Sequence, residues 1–426
     1  MLSATDNELL CRVGPGTPMG EVFRRFWNPI CLAEQLPGPD CAPVRLEILG
    51  ERLVAFRDSQ GRLGLLDEMC PHRVVSLALG RVEDNGIRCL FHGWKFGVDG
   101  TIHETPNCAD PRIRERVKAI SYPVREAGGL IWAYMGPPDK QPPFPRWRFM
   151  ELPLENVRIN RVDADVNYLQ QLEGGADTSH VGILHTNRAR PGWMDGGFCA
   201  NTDPDDPAAL ATDDLAPVLE VQDTEFGFHY AALRQATPAD GAPMHNVRIV
   251  PIIMPSTRII PAPALQYVIF EVPLNDTRTA TFGATYRLDG RPFDKKKADD
   301  IGGRNNPLLF DAATYRYTGS WHNRFGQDRS KLHEEWTGIQ GIVAEDMAIS
   351  MSQGPIADRT KEHLVPADQA VVRVRRQLHE SIQRVAAGRD PIGVNADVSA
   401  IQAVDLTTPA NERWQDLVPR HVRRAT

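Results

Sequence analysis

A chain of 426 residues with a net charge of −7 exceeds what one hydrophobic core usually organises, which predicts two domains; with no run of basic residues, a nucleic-acid surface is excluded. No apolar stretch reaches membrane-spanning length, and the opening residues lack a basic region followed by an apolar one, so the sequence reads as a cytoplasmic protein without a membrane partner. Seven cysteines, an odd number without a secretory signal, predict reduced thiols or metal ligands rather than disulfides. Cys11, Cys31, Cys41, Cys108 and Cys199 are expected to be buried small apolar residues.

From Val44 the chain alternates in short runs, VRLEIL, RLVAFR, the turn DSQG and RLGLLD, and later GGLIWAYMG. Glycine turns between runs of that length predict antiparallel hairpins and a small all-β domain over 44–135. The stretch GPPDKQPPFPRW forbids a regular helix and marks a linker at 136–147. Beyond it, VRINRVDADV, VLEVQDT, FGFHYAALRQ, NVRIVPIIM, LQYVIFEVP and RTATFGATYRL read as strands, with helices expected at 167–185, 333–352 and 367–387. That mixture predicts an α+β domain over 148–426, an antiparallel sheet carrying helices. The segment CANTDPDDPAALATDDLAP reads as an exposed loop near the substrate side or a disordered insertion, and the last helix as an apolar stripe opposite a solvated basic face.

Two brackets stand out: CPH at 70–72 and CLFH at 89–92, the latter followed by Gly93 and Trp94. Each holds one cysteine and one histidine, whereas zinc sites more often pair like ligands within a bracket. Two mixed brackets suit a [2Fe–2S] centre with thiolates on one iron and imidazoles on the other, Cys70 with Cys89 and His72 with His92. This pattern resembles the Rieske signature, with Val74 where glycine is common and Phe91 where tyrosine is common. The lost hydroxyl at Phe91 is expected to lower the reduction potential.

A second group lies in NYLQQLEGGADTSHVGILH: Asp177 and His180, three apart, share a helical face, while His180 and His185 are about 140° apart on a regular helix and meet only if it is distorted. With both groups, the chain resembles the oxygenase component of the Rieske non-haem iron aromatic-ring oxygenases, nearest the phthalate dioxygenase-like group. The likeness includes the opening NELLCRVGPGTPMGEVFRRFW. The resemblance implies a helix-grip (START-like) catalytic domain and a helical segment at 1–43 packing on it. It implies iron ligation by His180 and His185, with Asp177 as a bridging carboxylate between neighbouring subunits, hydrogen-bonded to His180 and to a neighbour's His92. GIVAEDMAISMSQGPIADRTKEHL resembles the segment carrying the third ligand; Asp346 aligns with it and its neighbour Glu345 competes. Asn167 matches a position near the iron, with helix capping as the other reading.

The implied cofactors are one Rieske [2Fe–2S] cluster and one mononuclear Fe(II) per subunit. The implied partners are O2, an aromatic, anionic substrate and a separate NAD(P)H-dependent reductase carrying a flavin and a [2Fe–2S] cluster, since the chain has no nucleotide-binding glycine fingerprint of its own. A homotrimer or stacked hexamer is implied as well. The expected reaction is cis-dihydroxylation of a phthalate- or benzoate-like acid, with oxidative O-demethylation or ether cleavage as the alternative and a pure electron carrier as a third. Arg234 and Arg248, charges inside apolar strand-like runs, are the candidates for binding a carboxylate. His229 and His245 read as ordinary polar residues.

Overall fold

The computed structural model describes residues 1–186, 214–236, 241, 243–262 and 265–418. The chain forms two compact units, a smaller one of Arg12–Phe144 with Val272–Asp276, and a larger one of Met1–Cys11, Pro145–Glu271 and the residues from Thr277 onward. The N-terminal segment expected to act as one piece is thus divided: Met1–Cys11 belongs to the larger unit and the residues from Arg12 to the smaller. Cys199 and most of the acidic segment that follows it lie outside the described residues.

The smaller unit is built from three antiparallel sheets. Val44–Ile48, Glu51–Arg57 and Leu63–Asp67 form one; Arg81–Glu83, Gly86–Arg88, Lys95–Phe96 and Ile102–Glu104 form a second; Trp27–Leu32, Leu130–Tyr134 and Val124–Ala127 form the third. Two hairpins turn on two-residue loops with both φ angles positive, Leu49–Gly50 (51° and 75°) and Asp84–Asn85 (46° and 63°). That sign matches the right-handed twist of the strands they join. The first turn is pinned by the late strand, since the Leu49 and Gly50 amides donate to the Pro273 and Leu274 carbonyls at 3.0 and 2.7 Å. The core of this unit gathers Val54, Phe56, Leu66, Leu77, Ile87 and Phe96 around Cys70, Cys89 and Trp94.

The larger unit carries a long sheet whose strands run in the order Val218–Asp223, Gly227–Ala236, Met244–Ile253, Thr257–Ala262, Leu265–Asn275, Arg278–Arg287, Val157–Ala164, Arg316–Tyr317, Phe310–Asp311; Val404–Pro409 also pairs with Met244–Ile253. The six strands read from the sequence are all present. Thr257–Ala262 and Val404–Pro409 were not anticipated: the first contains Pro261 and the second ends on Pro409, and neither shows clean alternation.

The Tyr168–Ala176 helix packs on this sheet so closely that a Cβ at Gly175 would come within 2.0 Å of Arg258 Cδ. The helix expected over 167–185 is interrupted. It ends at Asp177, and a single turn, Val181–Leu184, follows with His180 and His185 at its two ends. The one expected over 333–352 begins only at Ile342, because Gly338 and Gly341 hold φ of 66° and 105°, incompatible with a right-handed helix. The Gln369–Ala386 helix buries Arg375 and Gln377 beside Val374 and Leu378, so its basic residues are not all on a solvated face.

Candidate active site

In the smaller unit the two brackets form the same loop twice. The residue four after each cysteine, Val74 or Gly93, donates its amide to that cysteine's carbonyl (2.9 and 3.0 Å), and each cysteine amide donates to the residue five on, Val75 or Trp94 (2.9 and 2.8 Å). Gly93 and Val74 both have positive φ, 75° and 55°. The second angle explains why glycine suits position 74.

Cys70 and Cys89 are buried, and the His72 and His92 rings lie 4.6 Å apart between centroids. His72 stacks on Trp94 at 4.5 Å, and Trp94 is fixed through Nε1 by Asn107 (2.8 Å). Burial first, and then the neighbouring Cys89, push the Cys70 thiol up to about 11, although backbone amides at His72 and Arg73 oppose them. Two buried cysteines, with a buried His92 Nδ1 that has no hydrogen-bond partner among the described residues, fit a site completed by a metal cluster. Phe91 covers His92 at 3.8 Å between centroids, under the Arg73 guanidinium.

In the larger unit His180, His185 and Asp346 come together, their ligand atoms all within 4.8 Å of one another. The break in the helix makes this possible. Asp177 Oδ1 accepts the Ser179 amide and hydroxyl at 2.7 and 2.6 Å, which turns the chain out of the first helix, and the single turn Val181–Leu184 then runs from His180 to His185, where the backbone leaves helical geometry (φ −97°, ψ 21°), so the rotation of about 140° in a regular helix does not apply. The departures from a regular helix therefore lie at Asp177–Ser179 and at His185, on either side of the Val181–Leu184 turn. Asp177 Oδ2 lies 3.3 Å from His180 Nδ1. Burial would raise the Asp177 pKa, but His180 and Ser179 outweigh it and hold the carboxyl below its usual range.

The pair Glu345 and Asp346 divides its work around His185. Glu345, 1% exposed, meets His185 Nδ1 at 2.7 Å and accepts the Thr337 hydroxyl at 2.6 Å on its other oxygen. Asp346 Oδ1 lies 3.0 Å from Nε2 of the same ring and 3.7 Å from His180 Nε2. Among the described residues His185 Nε2 has no partner in good hydrogen-bond geometry, and it converges with His180 and the Asp346 oxygen on one place. Burial opposes a charge on His185, yet Asp346 and Glu345 together hold its pKa up at about 10. Two carboxylates that favour positive charge at this spot, with donors of two imidazoles and one carboxylate, fit a divalent iron with open positions.

Asn167 is the N-cap of the Tyr168–Ala176 helix: its Oδ1 accepts the Leu169 amide at 3.0 Å and its Nδ2 donates to the Cys11 carbonyl at 2.9 Å. Ten residues of helical rise put it about 15 Å along the axis from Asp177. The structure thus gives Asn167 the capping role. Arg248 is paired, its NH1 2.6 Å from Asp405, the residue opposite it across the strands. Arg234 differs. It is 5% exposed and donates only to the Thr178 carbonyl and hydroxyl at 3.1 and 3.2 Å, with no carboxylate partner among the described residues. Burial first, then Arg248, lower its pKa. Thr337 and the partition between Glu345 and Asp346 were not legible beforehand, since Thr337 fell in a stretch read as helix. His229 is buried rather than an ordinary polar residue, and Cys41 and Cys108 are only half-buried.

Residues 26–123 match the family model of the Rieske [2Fe-2S] domain, and residues 133–423 that of the LigXa C-terminal domain-like family. The chain is 38% identical to the oxygenase subunit of phthalate 4,5-dioxygenase from Pseudomonas putida, over 99% of this chain and 96% of that one. It is 35% identical to the 3-chlorobenzoate-3,4-dioxygenase oxygenase subunit of Comamonas testosteroni (93% and 92%). To the 5,5'-dehydrodivanillate O-demethylase oxygenase subunit of Sphingobium sp. (strain NBRC 103272 / SYK-6) it is 30% identical (96% and 87%). Among solved structures, the fold is similar to the Pseudomonas putida CBB5 NdmA QL mutant with theobromine at a TM-score of 0.59, 18% identity, over 93% of this chain and 99% of that one. Set beside two convergent ligand groups of the right chemistry, these likenesses mean that the chain belongs to the Rieske non-haem iron aromatic-ring oxygenases, in the phthalate dioxygenase-like group, as an oxygenase component with one [2Fe–2S] cluster and one mononuclear iron.

Proposed function

We propose that this oxygenase cis-dihydroxylates an aromatic acid of the phthalate or benzoate kind, using O2 and electrons passed from NAD(P)H through a separate flavin and [2Fe–2S] reductase. The observation that carries the substrate class is Arg234, a buried guanidinium without a carboxylate partner among the described residues, bonded to the loop between Asp177 and His180. A planar cation so placed pairs with a carboxylate and recovers the cost of its own burial on substrate binding. The relatives named for phthalate and 3-chlorobenzoate support that reading.

Cys70, Cys89, His72 and His92 would hold the cluster, and His180, His185 and Asp346 the mononuclear iron. When bound, the cluster supplies electrons one at a time and the iron supplies the open positions at which O2 and substrate meet. The chain's own groups do the rest. Glu345 fixes the tautomer of His185 by accepting its Nδ1–H, which leaves Nε2 free for the metal. Asp177 stays ionised beside His180 and, in a homotrimer, would accept a hydrogen bond from a neighbouring subunit's His92, giving electrons a short path. Arg234 orients the ring by its carboxylate. No described helix is long and apolar enough to cross a membrane, and we place the reaction in the cytoplasm.

The test is a turnover assay with phthalate, benzoate and methoxybenzoates, using anaerobically purified protein with close to three irons and two sulfides per chain, NADH and a surrogate reductase. A cis-diol from the acids supports the reading. Formaldehyde and a phenol from the methoxy acids alone would move it to O-demethylation, the activity named for one relative. Iron equal to sulfide after Fe(II) reconstitution would leave an electron carrier.

A further inference from the structure

Four charged side chains behind the ligand loop, two buried arginines and two half-buried glutamates, take no part in the chemistry above. Glu173 stands one turn before Asp177, and its backbone carbonyl accepts the Asp177 amide at 3.0 Å, the last hydrogen bond of the Tyr168–Ala176 helix. Its carboxylate is gripped from two sides. Arg359 donates through Nε to both oxygens (3.0 Å each) and through NH2 to Oε2 (2.8 Å), while Arg375 donates through Nε to Oε1 at 2.6 Å.

Each arginine is held in turn. Arg375 forks onto Glu362, with NH2 to Oε2 at 2.8 Å, and Arg359 NH1 reaches Asn7 Oδ1 at 3.1 Å and the Cys11 sulfur at 3.5 Å. Two carboxylates and two guanidiniums close a neutral set, with side chains only 2% exposed at Arg359, 7% at Arg375 and 14% at Glu173. The set ties the ligand helix to Met1–Cys11, the 357–362 loop and the Gln369–Ala386 helix. One turn earlier, Gln170 Nε2 donates to the Ser350 and Gly354 carbonyls (3.0 and 2.9 Å), at the end of the helix that carries Asp346. The helix is thus fixed along its axis by Gln170 and about its axis by Glu173.

We propose that Glu173 is a positioning residue for the mononuclear centre: held between Arg359 and Arg375, it sets the rotation of its helix and through it the placing of Asp177 against His180. The inference rests on the proposed roles of Asp177 and His180. A rotation of about 10° moves a side-chain oxygen about 6 Å from the helix axis by about 1 Å. A misplacement of that size at a reacting centre costs about a hundredfold in rate.

The test is Glu173→Gln in the metal-loaded enzyme, which keeps the side chain's size but leaves two guanidiniums without their shared charge. The expected result has four parts: an unchanged cluster spectrum, a KM for phthalate within about threefold of wild type, single-turnover oxidation of the reduced cluster slowed about 10- to 100-fold, and an altered EPR line shape for the nitric oxide complex of the ferrous site. Should that variant not fold, Glu173→Asp and Arg359→Lys keep the charges while disturbing the fork, and the same split with a smaller loss is expected.

An unchanged rate and line shape with a lowered Tm would overturn the proposal and reduce the clamp to a brace for the C-terminal helix. So would a loss of iron, KM and rate in proportion. If Asp177→Asn leaves the single-turnover rate intact, the reading of Asp177 as the electron path fails. The line shape in Glu173→Gln then decides the positioning role alone, for it reports the iron's surroundings whether or not electrons pass Asp177.

Discussion

Replacing Glu345 by Gln keeps the shape of the residue behind His185 and removes its charge. Glu345 and His185 are 1% and 2% exposed and meet at 2.7 Å, with the second Glu345 oxygen taken by Thr337, so water cannot substitute for the lost interaction. A charge-assisted hydrogen bond between buried partners contributes about 1.5–3 kcal/mol. At 1.36 kcal/mol per tenfold, the mononuclear iron should bind roughly 10- to 100-fold more weakly. Asp346→Asn takes away an anionic oxygen that converges with His185 Nε2, and should weaken iron at least about tenfold beyond Glu345→Gln, because a ligand is lost rather than a support. Competition for Fe(II) with a chelator measures both, and the Rieske absorption of the same samples counts folded protein independently. If Glu345→Gln abolished iron binding while Asp346→Asn stayed near wild type, the ligand and its support would have to be exchanged.

Arg234→Met should weaken binding of benzoate about 10- to 100-fold, whereas Arg248→Met, whose charge is already met by Asp405, should change it less than about threefold; calorimetry on the loaded enzyme separates them, and equal effects would refute the assignment. Asp177→Asn should keep both metal centres yet slow single-turnover oxidation of the cluster by about 10- to 100-fold, and an unchanged rate would contradict its bridging role. His229 is held neutral by burial, its pKa lowered to about 4 from 6.5, so below pH 6.5 the unfolded chain takes up a proton that the folded one refuses. Stability should then fall between pH 6.5 and about 4 by about 3 kcal/mol from this group, and His229→Leu should flatten that part of a urea-denaturation pH profile. Val74, 73% exposed with φ of 55°, forces a β-branched residue into the left-handed region. That strain costs about 1–3 kcal/mol, against about 0.5–1 for the extra chain entropy of glycine, so Val74→Gly should raise stability by about 1 kcal/mol; a destabilised variant would refute the strain.

Much of this protein is determined by residues close together in the sequence. The two mixed brackets each fold as one turn, so their spacing alone brings Cys70 beside His72 and Cys89 beside His92. The triplet Asp177, His180 and His185 is legible for the same reason, since Asp177 closes a turn on Ser179, two residues away, and the single turn Val181–Leu184 joins His180 to His185. The six strands show as runs rich in β-branched and aromatic residues, and several of them are buried on both faces.

What the sequence left open depends on residues far apart. Glu345 and Asp346 are adjacent and chemically alike, and only the packing of their helix against His185, 160 residues earlier, turns one carboxylate toward Nδ1 and the other toward Nε2. Arg234 and Arg248 look equivalent in their strands until Val404–Pro409 arrives to place Asp405 opposite one of them. Arg375 sits among basic residues on a helix that sequence alone would place in water, and becomes a buried partner of Glu173 through a contact spanning 202 residues. Backbone turns and ligand spacing are local properties, fixed by neighbouring side chains and φ preferences. Which of several similar charges is paired, and which stands ready for a metal or a substrate, is decided only when distant segments share one low-dielectric interior.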